Sequence, residues 1–146
     1  VALVDDEPDT QRSWRALADA LPGRWTAELG EHQIAVDYRI TAGGTVLLET
    51  WMPGTPAETI TTFHLDGQRL VLTHYCGQGN QPRLAMQACE GDTWSFERFD
   101  VTDRAPPEAA LETLTLAVDG PSMVRTETYE RAGQRETSVL RFVRDR

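Results

Sequence analysis

A chain of 146 residues can bury roughly two-thirds of its unfolded surface around one core, so a single domain spanning residues 1–146 suffices. Hydrophobic and charged shares of 40% and 25% are ordinary for folded proteins and exclude a disordered chain or a disulfide-dense scaffold. With a net charge of −9 the surface lacks the excess cations that nucleic acid or an anionic membrane would need, which leaves small molecules or other proteins as partners.

No apolar run approaches the ~20 residues of a membrane span. Val1 to Glu7 carries neither a basic n-region nor a long apolar h-region, so the default expectation is a cytoplasmic monomer or homodimer.

The first periodic segment is helical. Trp14, Leu17, Ala18 and Leu21 recur at i, i+3, i+4 and i+7, with Asp9 or Thr10 as the N-cap and Pro22-Gly23 as the stop, so a helix is predicted over 9–21. Beyond it the period falls to two. Turn residues then recur about every ten positions, from Gly30-Glu31 through Asp66-Gly67 to Ala132-Gly133, the signature of an antiparallel sandwich or barrel. Ten strands are predicted, near 25–30, 34–40, 45–51, 57–64, 69–76, 83–89, 93–99, 111–118, 123–130 and 136–144.

Cross-strand neighbours in a hairpin with an even-numbered loop share a face. One interior set is therefore Val36, Tyr38, Ile40, Leu47, Glu49 and Trp51, and a second is Thr59, Thr61, Phe63, Leu70, Leu72, His74 and Cys76, with His64 outside. A third runs Leu114, Leu116, Val118, Met123, Arg125, Glu127, Tyr129, Ser138, Leu140, Phe142 and Arg144. If strands alternate up and down, the Gly43-Gly44, Asp66-Gly67, Gly91-Asp92 and Asp119-Gly120 turns lie at one end and the long loops at 52–56, 77–82 and 100–110 at the other. The loop end is then the ligand mouth, with Glu49, Trp51, Thr59, His74, Cys76, Glu127 and Tyr129 just inside it. Cys76 and Cys89 fall near opposite ends of their strands, too far apart to bridge, and are read as free thiols.

Leu21-Pro22-Gly23-Arg24-Trp25 resembles the Gly-x-Trp signature of the calycins, the lipocalin-like barrel superfamily. That resemblance implies an arginine of the last strand packed across the Trp at the closed end, and Arg144 is placed to do this for Trp25. More specifically, Gly43 to Thr50, Pro53-Gly54-Thr55, His64 to Gly67, Leu70 to Cys76 and Asn80-Gln81-Pro82-Arg83 resemble a family of uncharacterised bacterial lipocalin-like proteins over roughly residues 21 to 100. The family pattern has a His-Met pair after the next polar loop. Here Asp100 to Glu108 contains no histidine, so any family site using that residue with His74 is altered.

Glu49 and His74 are the sharpest chemical pair. In a cavity they can serve as acid/base partners or orient a polar ligand, and a self-satisfied polar network inside the barrel is the bland alternative. Arg125 and Glu127, two apart on one strand, form an interior ion pair that favours a polar or charged ligand, unless a one-residue register shift puts both in solvent. Cys76 beside His74 suggests a thiolate or two metal ligands. Alternate residues on one strand supply only two, so no metal site is expected and an inert buried thiol is the preferred reading. Asn80 to Arg83 forms either a ligand-bonding mouth loop or a rigid turn whose amides cap backbone.

The resulting expectation is an all-β, ten-stranded, antiparallel up-and-down calycin barrel with one N-terminal helix. It binds a small, partly polar molecule through Tyr38, Glu49, Trp51, Thr59, His74, Cys76, Asn80, Arg125, Glu127 and Tyr129, without a cofactor. The alternatives are a cofactor-independent isomerase, cyclase or hydratase using Glu49 and His74, haem binding through His74, and an interaction domain whose cavity is filled by its own side chains.

Overall fold

The structure, a computed structural model, describes residues 9–146; the leader-free reading of Val1 to Glu7 lies outside the described residues. Helix α1 (Asp9–Ala20) precedes ten strands: β1 (Gly23–Leu29), β2 (His32–Thr41), β3 (Val46–Trp51), β4 (Thr59–Asp66), β5 (Arg69–Tyr75), β6 (Gln81–Glu90), β7 (Thr93–Thr102), β8 (Ala110–Asp119), β9 (Ser122–Arg131) and β10 (Gln134–Arg144). Each strand pairs antiparallel with its chain neighbours, and β1 meets β10 to close the barrel. Among the described residues no helix is long and apolar enough to cross a membrane.

The β2–β3, β4–β5, β6–β7 and β8–β9 turns lie at one end of the barrel, while two further two-residue turns, Gly30-Glu31 and Ala132-Gly133, lie at the other end among the long loops. Glycines 67, 91 and 120 have φ of 58°, 59° and 56°, the left-handed conformation that two-residue hairpin loops demand and that glycine adopts without strain. Helix α1 packs across this end. Trp14, Leu17 and Leu21 are buried, Thr10 Oγ1 donates to the Gln68 carbonyl at the β4–β5 turn, and Trp94 Nε1 donates to the Ser13 carbonyl at 3.0 Å. Asp9 and Thr10 lie inside the first helical turn instead of before it, so the expected cap is displaced: Asp9 takes Arg12, and Thr10 ties the helix to the sheet.

The pleat sorts the interior largely as the parity argument requires. Leu47, Phe63, Leu72, Leu84, Trp94, Phe96, Leu114, Leu116, Met123 and Phe142 fill the half nearer α1, with Phe63 and Phe96 edge to face at 5.7 Å. Two expected interior residues are exposed. Ile40 lies at the barrel rim beside the 3₁₀ turn Ala42–Gly44, where its strand outruns the packing. Ser138 pairs with Glu127 as expected, but β1 and β10 share only two residue pairs, Trp25–Arg144 and Thr26–Val143. Beyond them the wall parts, and β10 from Gln134 to Val139 is exposed along its length. Strand β7 also runs on to Thr102, because Arg83–Asp100 and Gln81–Thr102 contacts continue the β6 ladder, which shortens the expected 100–110 loop.

At the closed end Arg144 stacks over Trp25 with its Cζ 4.3 Å from the ring centroid, the arrangement that the Gly-x-Trp resemblance implies. Its guanidinium donates to the Ala20 carbonyl, which the end of α1 leaves without a helical partner, and to the Pro22 carbonyl just beyond the helix, while Trp25 Nε1 donates to the Leu21 carbonyl at 2.8 Å. Gly23 is needed here: its φ is 127°, and a Cβ would stand 3.0 Å from Arg144 Nη1. Charge-assisted bonds of this kind contribute roughly 1.5–3 kcal/mol. Arg144→Met, which keeps the apolar stem, is expected to lower stability by about 2–3 kcal/mol in urea unfolding. An unchanged midpoint would remove Arg144 from the account of how helix and barrel are joined.

Candidate functional site

Near the mouth the interior turns polar. Tyr38 and Glu49 face each other across β2 and β3, and Glu49, Thr61 and His74 form one row across β3, β4 and β5. Arg125 enters from β9, four strands from β3 around the wall, and crosses the lumen. Its Nη1 donates to Glu49 Oε2 at 2.5 Å and lies 3.3 Å from the Tyr38 hydroxyl, and its Nε donates to Glu127 Oε2 at 3.2 Å. Tyr38 Oη donates to the same Glu49 Oε2 at 2.7 Å. The Arg125 guanidinium also lies 5.2 Å from the centroid of the Trp51 ring.

This network sets the protonation states. Burial alone would push the Glu49 carboxyl up, but the Arg125 charge and the hydrogen bonds from Tyr38 and Arg125 outweigh it and hold Glu49 below the usual carboxylate range. Arg125 is kept charged by its carboxylates despite burial, and burial followed by the Glu49 charge drives the Tyr38 phenol well up. His74 is governed by burial, which lowers it to about 4 even though Glu49 acts in the opposite direction. The imidazole is thus neutral at neutral pH. Its Nδ1 lies 2.9 Å from Thr61 Oγ1 and its Nε2 3.5 Å from the Tyr129 hydroxyl, which burial pushes above the ordinary phenol value.

Above the network lies a cavity of about 240 Å³. Eight of the ten expected ligand contacts line it: Glu49, Trp51, Thr59, His74, Cys76, Arg125, Glu127 and Tyr129. Gly77, from the expected mouth loop 77–82, and Ala57, from the β3–β4 connection where the sequence pattern predicts a strand start, complete the wall. Tyr38 and Asn80 do not line it. Tyr38 is 3% exposed and lies beneath Glu49, supporting the carboxylate. Asn80 is fully buried, and its Nδ2 donates to Glu108 Oε1 and the Ala109 carbonyl, pinning the loop after β7. The rigid-turn alternative describes it, with the amide capping a neighbouring loop.

The acid/base couple of Glu49 and His74 also needs correction. The two share a row, but the hydrogen bonds of Glu49 go to Tyr38 and Arg125 and those of His74 to Thr61 and Tyr129. The intervening Thr61 takes the imidazole nitrogen that a neighbouring carboxylate would have claimed.

Sequence reasoning missed the support of the mouth loop. Arg98 and Arg104 share Glu130, whose carboxyl they and the Gly133 amide hold down to about 2, and Arg104 also donates to the Glu108 carbonyl. The segment read as lacking a family histidine is thus anchored by an arginine.

Among the described residues no three His, Cys, Asp or Glu side chains converge as a metal site. Both thiols are free. The site fits haem poorly. Both His74 nitrogens already face hydroxyl groups, and a cavity of about 240 Å³ falls below the ~300–1,000 Å³ typical of drug-sized ligand pockets.

A scan against models of known protein families finds no match, and neither does a search of curated proteins. Among solved structures, the chain is similar to Rv2717c from M. tuberculosis, with a TM-score of 0.58 and 18% identity over 92% of this chain and 98% of that one. At that identity the likeness concerns the fold alone.

Proposed function

We propose that the protein is a calycin-type barrel that binds a small, partly polar molecule in its mouth. The observation that carries this reading is the 240 Å³ cavity, whose floor is the buried Arg125–Glu49 ion pair and whose wall holds His74 and Tyr129. An interaction domain filled by its own side chains would leave no such space beside an ionised group. Binding is favoured over acid/base catalysis by the charge states. An effective general acid or base titrates near the working pH, whereas Glu49 is held low and His74 lies at about 4.

Native mass spectrometry of the purified protein is expected to reveal a co-purifying small molecule, and His74→Ala and Glu49→Gln are expected to weaken its rebinding at least tenfold. Thermal melts would confirm that both variants fold. If folded variants bind as tightly as the parent, the binding site lies elsewhere.

A further inference from the structure

The cavity has two carboxylates and one cation. Arg125 contacts both Glu49 and Glu127, always through Oε2: Glu49 Oε2 receives Arg125 and Tyr38, and Glu127 Oε2 receives Arg125 Nε. Glu49 lines the cavity, and its Oε1 takes part in none of these bonds, which leaves that oxygen available to a donor placed in the cavity. His74 contributes no compensating charge at neutral pH. Of the rim arginines, Arg98 and Arg104 pair with Glu130 and Arg135 with Glu112, while Arg131 lines a separate rim pocket on the far side of Tyr129 and not the mouth cavity.

We infer that the mouth cavity selects a small organic cation, a primary ammonium or similar donor, with Glu127 and Glu49 Oε1 as its acceptors and Trp51 and Tyr129 as its aromatic walls. This rests on the mouth-binding reading above and assigns the ligand class to that site. An anion would face two carboxylates while Arg125 already has its Nε and Nη1 occupied. A neutral donor could satisfy Oε1 but would leave the excess charge of −1, from two carboxylates and one guanidinium, uncompensated in a site partly shielded from water. Ammonium groups also favour the faces of Trp and Tyr rings. The overall charge of −9 draws cations toward the molecule.

The test uses three probes of similar volume and different charge: benzylammonium, benzyl alcohol and benzoate. Binding is measured at pH 7 by titration calorimetry and located by NMR shifts of the Trp51 indole and the His74 ring. Benzylammonium is expected to bind at least tenfold more tightly than either competitor. Glu127→Gln is expected to remove that preference while leaving a folded barrel, whereas Asp119→Asn, the same charge change at the far end, leaves it intact. If benzyl alcohol or benzoate binds at Trp51 and His74 as tightly as benzylammonium, or if Glu127→Gln retains the preference, the cation assignment is overturned and the mouth remains a binding site. If no probe shifts either signal, the mouth-binding reading fails with it.

Discussion

Replacing Arg125 with methionine is expected to destabilise the protein by about 3–5 kcal/mol, the range for breaking a buried pair by removing one partner. The reason lies in what remains. Arg125 is 2% exposed and Glu49 1%, so the variant strands a carboxylate inside the barrel with only the Tyr38 hydroxyl as donor. Glu127 also loses its partner but is nearer solvent and contributes little to the loss. Adding Glu49→Gln to Arg125→Met should recover most of the stability, because an amide needs no counter-charge. The pH profile separates this cause from lost packing. In the parent the Glu49 pKa is depressed, so its stabilisation is present above the unfolded carboxyl value of ~4.3 and is lost as pH falls through the folded value. In Arg125→Met burial raises that pKa, so the penalty is absent below ~4.3 and grows as pH rises. Parent and variant should therefore converge in urea unfolding toward pH 4, and a gap independent of pH would refute the stranded-carboxylate explanation.

The second large effect is acid lability through His74. The unfolded imidazole takes a proton near 6.5, and the folded one resists until about 4. Between those values the unfolded state binds more protons. Stability is therefore full above 6.5, declines as pH falls, and levels off near 4. Over the whole window the loss is about 3 kcal/mol, at ~1.4 kcal/mol per pKa unit. His74→Gln cannot titrate, so its stability should fall by about 3 kcal/mol less than the parent's between pH 7 and 4, other groups cancelling in the comparison. NMR titration of the His74 ring checks the origin directly. A ring that titrates near 6.5 in the folded protein would show that the imidazole reaches water and that the cavity is wetter than its burial implies.

Much of the candidate site was legible before any coordinates, and the reason is geometric. A strand alternates its faces with a period of two, so each hairpin turn fixes which residues point inward; this brought Glu49, His74, Cys76, Arg125, Glu127 and Tyr129 into one interior. Chain direction then separated mouth from base. The Arg125–Glu49 pair was within reach of the same logic, since each is the fourth residue of its strand from the tight-turn end and the two carry opposite charge. Parity alone does not say which interior residues meet across the lumen, and His74 stood closer in the strand order. Asn80 was misread for a related reason: a polar residue at a mouth loop has the same sequence signature whether it faces a ligand or another loop.

Local chemistry along the chain determined the helix, the ten strands and their order, because glycine at positive φ, apolar alternation and short connections leave few other arrangements for an antiparallel sheet. Inward placement of the polar residues followed from the same pattern. Only the tertiary structure decided which of them pair. Hydrogen bonding and charge neutralisation depend on distances of a few ångströms across the barrel, set by strand tilt and by how the wall closes. These made Arg125 the partner of Glu49, gave His74 to Thr61 and Tyr129, and set the buried ion pair beside an open cavity.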